Sequence, residues 1–242
     1  MLEEKNILVV VPARGGSKGV KLKNIRMING VPLVALVGRV VRQLPYVDRA
    51  VVSTDHPEIA EIAGKSGLDV PFMRPEQLSG DVVADGHVLH HALLECERLD
   101  HRKYDIVIML QPTSPFRKPD HVTETAKKLI KGRYDAVWTV SQTDSKAHPL
   151  KQLVIRKDIL DFYDPAGANI IARQQLTPVY HKNGVAYAMT RDCILKKDIK
   201  GSRTSFVIID EFMVNIDTEL DFKLAEFFLV LDSDSIQPPS KV

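Results

Sequence analysis

Short apolar runs alternate with longer amphipathic stretches along the first part of the chain. The opening run, Ile7 to Pro12, is apolar throughout and rich in β-branched residues, which is typical of a strand buried on both faces. The stretch from Val31 to Leu44 repeats apolar residues at spacings of three and four, as an amphipathic helix does. A strand followed by a helix is therefore the predicted opening unit of the fold.

This strand and helix unit recurs as far as residue 140. The other predicted strands span 49–53, 70–73, 105–110 and 136–140, and the predicted helices between them span 58–66, 86–99 and 119–130. Apolar strands separated by crossover helices are typical of a parallel sheet that is covered by helices on both faces. The pattern therefore predicts an α/β protein with a mostly parallel sheet.

The alternation stops after Ser141. Residues 142–182 show no clean period and contain several prolines, so we expect a segment that leaves the sheet as a small subdomain or dimerisation arm. The remaining predicted elements are strands at 185–189 and 205–209, a helix at 218–231 and a loose tail at 233–242. The predicted core thus comprises residues 1–141 and 183–232.

Composition and charge are those of an ordinary globular protein of 242 residues. Its 33 basic and 31 acidic residues are interleaved, so no nucleic-acid partner is expected. No uncharged run approaches the roughly 18 residues of a membrane helix, and no signal peptide follows Met1, so no membrane association is expected. Cys96 and Cys193 stand alone, which predicts reduced thiols and a cytoplasmic location.

A basic, glycine-rich loop directly follows the first predicted strand. Ligands of open α/β sheets bind outside the carboxyl ends of the strands, which is where this loop lies. Its glycines let backbone N–H groups approach an anion, and its cations add positive charge: Gly15, Gly16 and Gly19, with Arg14, Lys18, Lys21 and Lys23. The loop therefore predicts a polyphosphate site.

Three known loop motifs can be compared with this segment. A Walker A loop needs four residues between its first glycine and Gly-Lys-Ser/Thr, and the spacing of the dinucleotide-binding glycines also differs, so neither motif is present. Residues 15–19 do match the Gly-x-Ser-x-Gly turn of α/β hydrolases. A serine hydrolase that uses Ser17 is therefore an alternative, although Lys-Leu-Lys-Asn follows where that motif turns into a helix.

Two further polar clusters are candidates for ligand contacts. Gln111 stands at the end of the 105–110 strand, held beside two prolines, where its amide can bind the hydroxyls of a ligand. Asp217 precedes the last predicted helix and is explained locally as a helix cap. If the sheet brings Asp217 beside the glycine-rich loop, its carboxylate suits Mg²⁺ bound to phosphate oxygens.

Together these segments resemble the CMP-acylneuraminate synthetases, the cytidylyltransferases that activate sialic acid and related nonulosonic acids. The resemblance extends from residue 7 to about residue 231. The short motifs that match the family are Ala-Arg-Gly-Gly-Ser-Lys-Gly at 13–19, Leu-Lys-Asn at 22–24, Ser-Thr-Asp at 53–55, Arg-Pro at 74–75, Leu-Gln-Pro-Thr-Ser-Pro at 110–115, His-Pro-Leu-Lys at 148–151, Arg-Gln-Gln at 173–175, Asn-Gly at 183–184 and Ile-Asp-Thr-Glu-Leu at 216–220.

The resemblance implies a three-layer α/β/α nucleotide-transferase fold with a protruding dimerisation arm. It also implies a homodimer with shared active sites, in which residues 142–182 would reach into the partner's site. The nucleotide CTP would be held by Ala13, Arg14, Gly15, Gly16, Ser17, Lys23 and Asn24, with Arg74 on the cytosine side. Mg²⁺ would be ligated by Asp217, and Arg14, Lys23 and Asp217 would carry the catalytic work.

The resemblance further implies which residues hold the nine-carbon sugar acid. Contacts with the sugar would come from Gln111, Asn183 and Tyr187, and its carboxylate would be bound by Lys151 and Arg173 of the neighbouring subunit. The implied reaction is attack of the anomeric hydroxyl on the α-phosphorus of CTP, which gives the CMP-sugar and pyrophosphate. No residue is assigned as the general base.

Two departures from the family pattern leave alternatives open. Asn215 stands where related enzymes often carry an aspartate; its amide oxygen can coordinate a metal but adds no charge. A non-catalytic nucleotide-binding relative is therefore an alternative. Residues 197–200 are Lys-Asp-Ile-Lys where sialate activators can carry aromatics. This difference leaves three alternatives for the substrate: N-acetylneuraminate, a relative such as legionaminate or pseudaminate, or another 2-keto-3-deoxy sugar acid.

Overall fold

The computed structural model describes residues 2–234, with side chains as far as residue 229. Its strands are β1 (Ile7–Pro12), β2 (Met27–Ile28), β3 (Val31–Pro32), β4 (Arg49–Ser53), β5 (Ile106–Met109), β6 (Ala136–Gln142), β7 (Leu153–Arg156), β8 (Ile159–Phe162), β9 (Tyr180–Thr190) and β10 (Thr204–Ile208). Its helices are α1 (Leu33–Val41), α2 (Pro57–Lys65), α3 (Asp85–Asp100), α4 (Pro119–Gly132), α5 (Arg191–Leu195) and α6 (Glu219–Asp234).

Six strands form the central sheet in the order β10-β6-β9-β5-β1-β4. β1 runs parallel to β4 and β5, and β10 runs parallel to β6. β9 is antiparallel to both of its neighbours, because the chain leaves the sheet at the end of β6 and returns beside it. The predicted α/β class with a mostly parallel sheet is confirmed.

The two faces of β1 show how the layers are built. Ile7, Val9 and Val11 are fully buried in the same cluster as the apolar faces of α1, α2 and α4. Leu8 and Val10 are fully buried in a second cluster with residues of α3 and α5. Because successive strand residues point to opposite faces, helices cover both sides of the sheet and make three layers.

The predicted strand at 70–73 is wrong. Only Asp69 pairs with the sheet edge, through hydrogen bonds with the backbone of Ala50 and Val52 at 2.8 and 2.9 Å. Pro71 has no N–H group to extend this ladder, so the backbone turns away from the sheet. The turn places Arg74 beside the end of β4.

Other boundaries shift less. The helix predicted over 31–44 is shorter, because Val31 and Pro32 instead pair with β2 in a two-stranded hairpin. The last helix extends through residue 234, so it includes the first two residues of the predicted tail, and 235–242 lie outside the described residues. Among residues 2–234, no helix combines the length and apolar character needed to cross a bilayer.

The segment between β6 and β9 carries an exposed apolar hairpin. β7 and β8 pair with each other in a two-stranded sheet of their own, outside the central one. Four of their apolar side chains are at least half exposed: Leu153, Ile155, Ile159 and Leu160. An apolar surface of this kind is unusual on a monomer and typical of a surface that binds another protein.

Both cysteines are buried free thiols within the described chain. Cys96 lies in α3, within the second core cluster, and Cys193 lies in α5. Burial raises the pKa of Cys193 to about 11 and that of Cys96 to about 12. Neither thiol is therefore activated as a nucleophile at neutral pH.

Candidate functional site

A polar cleft of about 510 Å³ opens at the carboxyl ends of β1 and β5. Its walls come from four parts of the chain: the loop after β1, the segment 74–88, the turn at 111–113 and the turn at 215–217. Eight of the residues predicted for the site line it together: Arg14, Ser17, Lys23, Asn24, Arg74, Gln111, Asn215 and Asp217. The fold thus gathers most of the predicted site into one place.

The glycine-rich loop and the Asp217 turn meet at one close backbone contact. A Cβ atom on Gly19 would lie 2.3 Å from the carbonyl oxygen of Asp217, so only glycine fits there. The neighbouring residues Val20 and Ile216 are buried together with Phe222 of α6 and hold the two segments in register. This hydrophobic packing therefore fixes the polar residues of the loop and of the Asp217 turn relative to each other.

Lys23 and Asp217 form an ion pair across this contact. Lys23 Nζ lies 2.8 Å from Asp217 Oδ1, although the two residues are 194 positions apart. The Lys23 side chain is 16% exposed and that of Asp217 is 68% exposed. The carboxylate therefore faces solvent and keeps its second oxygen accessible beside a fixed cation.

Hydrogen bonds inside the chain shape the rest of the loop. The N–H of Gly15 donates to Asp55 Oδ1 at 2.8 Å, and Asn24 Nδ2 donates to the carbonyl oxygen of Arg14 at 2.9 Å. Ala13 is fully buried, and Gly16 faces open space. Ala13 and Gly15 thus support the loop from within, and their predicted contacts with CTP stay a prediction.

Asp81 neutralises two cations of the loop. One of its carboxylate oxygens lies 2.6 Å from Arg14 Nη1, and the other lies 2.6 Å from Lys18 Nζ. Hydrogen bonds from Lys18 and Arg14 lower the pKa of the Asp81 carboxyl. Sequence reasoning missed Asp81, because its stretch has no regular pattern and its partners are set by the fold.

Arg74 is a fixed cation in the cleft wall. It is 6% exposed, its Nε donates to Ser53 Oγ at 3.0 Å, and its Nη2 donates to the Ser53 carbonyl. Burial lowers the pKa of Arg74 to about 10, while the carboxylates of Asp55 and Asp85 favour its charged form. The guanidinium is therefore protonated at neutral pH and anchored against the end of β4.

Asp85 is a second acid that sequence reasoning missed. It begins α3 and lines the cleft, half-buried, where burial raises the pKa of its carboxyl. The positive charges of Lys182 and Arg74 oppose that rise. The only local signal is an acidic residue just before a predicted helix, which is ordinary at a helix start.

Gln111 is held where β5, β9 and the Asn215 turn converge. Gly184 has a φ of +74°, and a Cβ atom on it would lie 2.7 Å from Gln111 Oε1 and 3.6 Å from Asn215 Oδ1. The buried guanidinium of Arg117 donates to the carbonyls of Gln111, Gly184 and Val185. This side chain therefore ties the Gln111 turn to β9.

Asn183 and Tyr187 lie in the interior of β9. Asn183 Oδ1 accepts hydrogen bonds from Thr139 Oγ1 at 2.7 Å and from the N–H of Val185 at 3.2 Å. Tyr187 is 4% exposed, and its hydroxyl oxygen accepts the N–H of Gly184 at 2.7 Å. Their polar groups are satisfied within the chain, and their predicted contact with the sugar acid stays a prediction.

Lys151 and Arg173 lie in the segment between β6 and β9, away from the cleft. Arg173 lines a separate groove of about 290 Å³ together with His148 and Thr177. Both predicted ligands of the sugar carboxylate are exposed. They are therefore accessible to a second copy of the chain, and their role stays a prediction.

Ser17 lacks the surroundings of a hydrolase nucleophile. The motif requires a sharp turn from a strand straight into a helix. Here the loop continues from Ser17 to a three-residue 3-10 turn, Lys23–Ile25, and no α-helix begins before Leu33. The structure therefore disfavours the serine hydrolase.

The donor atoms beside Lys23 suit a hard cation that also binds phosphate. Asp217 offers a carboxylate and Asn215 an amide oxygen on the same cleft wall. Residues 2–234 hold no group of three or more His, Cys, Asp or Glu side chains that would form a complete protein cage. Mg²⁺ commonly binds one or two carboxylates together with phosphate oxygens and water, so these residues fit it.

Comparison with known proteins identifies the family. The family model described as cytidylyltransferase matches residues 8–230. The chain belongs to the cytidylyltransferase family. Among curated relatives of this cytidylyltransferase, the post-translational flagellin modification protein B of Campylobacter coli is 32% identical, covering 92% of this chain and 94% of the relative.

Two further relatives carry enzyme names. The CMP-N,N'-diacetyllegionaminic acid synthase of Legionella pneumophila is 30% identical over 95% of this chain and 99% of its own. The N-acylneuraminate cytidylyltransferase A of Danio rerio is 31% identical over 93% of this chain, which spans only 51% of that relative. The expected family of CMP-acylneuraminate synthetases is confirmed.

Solved structures confirm the fold class. A CMP:2-keto-3-deoxy-manno-octonic acid synthetase superposes with a TM-score of 0.68 at 17% identity, covering 94% of this chain and 99% of the other. The 4-diphosphocytidyl-2C-methyl-D-erythritol synthase of Anaerococcus prevotii gives 0.64 at 16% identity, covering 93% and 96%. The expected nucleotide-transferase fold is therefore confirmed.

Proposed function

We propose that this cytidylyltransferase activates a nonulosonic acid with CTP to give the CMP-sugar and pyrophosphate. The observation that carries the proposal is one cleft that combines the cationic glycine-rich loop, the Lys23–Asp217 ion pair and Gln111. The names of the Legionella and Danio relatives support the same class of substrate. Reduced, buried cysteines support a cytoplasmic location.

The reaction forms a bond between the anomeric oxygen of the sugar and the α-phosphorus of CTP. The O–H bond of the anomeric hydroxyl and the bond from the α-phosphorus to the bridging oxygen both break. The proton passes to solvent, and pyrophosphate leaves with the electron pair. Arg14, Lys18 and Lys23 would neutralise the charge on the phosphates, with Arg14 and Lys18 exchanging Asp81 for phosphate oxygens. When bound at Asp217 and Asn215, Mg²⁺ supplies further charge neutralisation.

Pyrophosphate release tests this function directly. CTP and Mg²⁺ are supplied with N-acetylneuraminate, legionaminate, pseudaminate or 3-deoxy-octulosonate, and we expect release with one of the three nine-carbon acids. Lys23→Ala should lower that rate at least about tenfold, because a fixed cation beside the phosphates is lost. Release only with the octulosonate would reassign the substrate, and CTP binding without release would indicate a non-catalytic relative.

We further propose that the segment 142–182 is an arm that completes the active site of a second subunit. The exposed apolar hairpin β7–β8 supports an interface between copies, as a symmetric dimer would bury it twice. Lys151 and Arg173 lie in the same segment, outside the cleft of their own chain. An arm that crosses to the partner would bring these cations to the sugar carboxylate.

Mixing two inactive variants tests whether the site is shared. Lys23→Ala damages the cleft and Arg173→Ala damages the arm, so a mixed dimer contains one intact site and one doubly damaged site. Random exchange at equal amounts should therefore restore about a quarter of the wild-type rate. Mixed dimers that form but stay as inactive as the parents would show that Arg173 acts within its own chain.

A further inference from the structure

The cleft wall formed by residues 74–88 differs in character from the glycine-rich loop opposite. It presents the apolar side chains of Leu78, Val83 and Val88 together with Arg74 and Asp85. Apolar surfaces with a few placed polar groups are typical of pockets for the organic part of a ligand, whereas phosphates bind to cations and backbone N–H groups. This wall therefore suits the base of the nucleotide.

Apart from Asp81, which pairs with Arg14 and Lys18, the charged residues that line this wall are Arg74 and Asp85, and they offer opposite hydrogen-bonding capacity. Arg74 is a donor, held by two hydrogen bonds to Ser53. Asp85 is an acceptor, and no hydrogen bond to its carboxylate comes from any residue in the range 2–229. Arg74 and Asp85 line the same cleft. A ring that meets both must present acceptors and a donor side by side.

Cytosine and uracil differ in where this edge carries its donor, because the donor of uracil is the N–H at N3, between two carbonyl oxygens. The edge of cytosine carries an amino donor at C4 next to acceptors at N3 and O2, and aspartate is a known acceptor for that amino group. Uracil carries an acceptor oxygen at C4, which a carboxylate repels. Resting on the cytidylyltransferase function proposed above, we propose that Asp85 accepts the cytosine amino group and thereby selects CTP over UTP.

An acidic residue at position 85 can also be explained by two structural roles, which an experiment must distinguish from recognition of cytosine. It is an acid in the first turn of α3, where a carboxylate favours the helix dipole. It is also one of two carboxylates, with Asp55, that favour the charged form of Arg74. Either explanation predicts that removing the charge affects CTP and UTP equally, since neither involves the atom at C4.

Equilibrium binding of CTP and UTP with Mg²⁺, without any sugar acid, distinguishes these explanations. The wild-type protein should bind CTP at least about tenfold more tightly than UTP, because a mismatched buried polar group is costly. Asp85→Asn should reduce this ratio at least about tenfold, since an amide can turn its NH₂ toward the uracil oxygen. The matched control is Asp120→Asn, an exposed first-turn acid of α4, which should leave the ratio unchanged.

A second measurement removes the amino group from the ligand instead. The 4-deamino analogue of CTP should bind the wild type about tenfold more weakly than CTP, and Asp85→Ala should bind the two equally. An unchanged CTP to UTP ratio in Asp85→Asn, or equal wild-type affinity for CTP and the analogue, would overturn the role of Asp85. Absence of binding by either nucleotide would instead overturn the proposed function as well.

Discussion

Gly19→Ala is expected to lower kcat/KM for CTP by about a hundredfold or more. The added methyl carbon would lie 2.3 Å from the Asp217 carbonyl oxygen, so the loop and the Asp217 turn must separate. The backbone there cannot yield as a flexible side chain would, because Val20 and Ile216 on either side are buried in one cluster. Displacing Lys23 and Asp217 by even about an ångström removes the positioning on which phosphoryl transfer depends.

Gly64→Ala is the matched control for this substitution. Gly64 lies in α2, and a Cβ atom there would make an ordinary contact with Val70 Cγ2 at 3.8 Å. We expect unchanged turnover and a slightly higher melting temperature, since alanine favours a helix by roughly 0.5–1 kcal/mol over glycine. Wild-type turnover in a folded Gly19→Ala protein would show that the close contact is not needed.

Asp217→Asn is expected to lower turnover by about a hundredfold and to raise the Mg²⁺ concentration needed for half-maximal rate. With Asn215 beside it, the variant would offer only amide oxygens to the metal and no negative charge. It would also remove the ionic partner of Lys23, which lies 2.8 Å away. Steady-state rates across a Mg²⁺ titration measure both effects, and excess Mg²⁺ should recover part of the loss.

Glu219→Gln provides the comparison for Asp217→Asn. Glu219 stands two residues further along the chain and pairs with Arg26 on the surface, with its side chain 58% exposed. Its substitution removes one nearby negative charge without touching the cleft, so turnover and Mg²⁺ dependence should stay close to those of the wild type. A Mg²⁺ requirement that is the same in Asp217→Asn and the wild type would exclude Asp217 as a ligand.

Much of the central sheet could be predicted from local patterns. The strands near 7–12, 49–53 and 136–140 are found at or within two residues of their expected bounds, because burial on both faces leaves an apolar run in the sequence. The exception at 70–73 has an apolar run but also contains Pro71, whose missing N–H prevents pairing. Apolar character alone therefore identifies buried segments but does not guarantee a ladder.

The candidate site was predictable only in part, because only some of its residues carry a local signal in the sequence. The glycine-rich loop, Gln111 and Asp217 carry visible local signals, and all of them contribute to one cleft. Asp81 and Asp85 have no such signal, since a single acid in a loop or at a helix start is ordinary. Their importance comes from partners that lie far away along the chain.

The sequence by itself determined the fold class, the cationic loop after the first strand and, through its short motifs, the cytidylyltransferase family. These features follow from local periodicity and residue chemistry. Only the tertiary structure decided that Gly19 must touch Asp217 and that Asp81 neutralises Arg14. Such contacts depend on how strands are ordered and turns are packed. No local pattern encodes the distance between residues such as Lys23 and Asp217, which are 194 positions apart in the sequence.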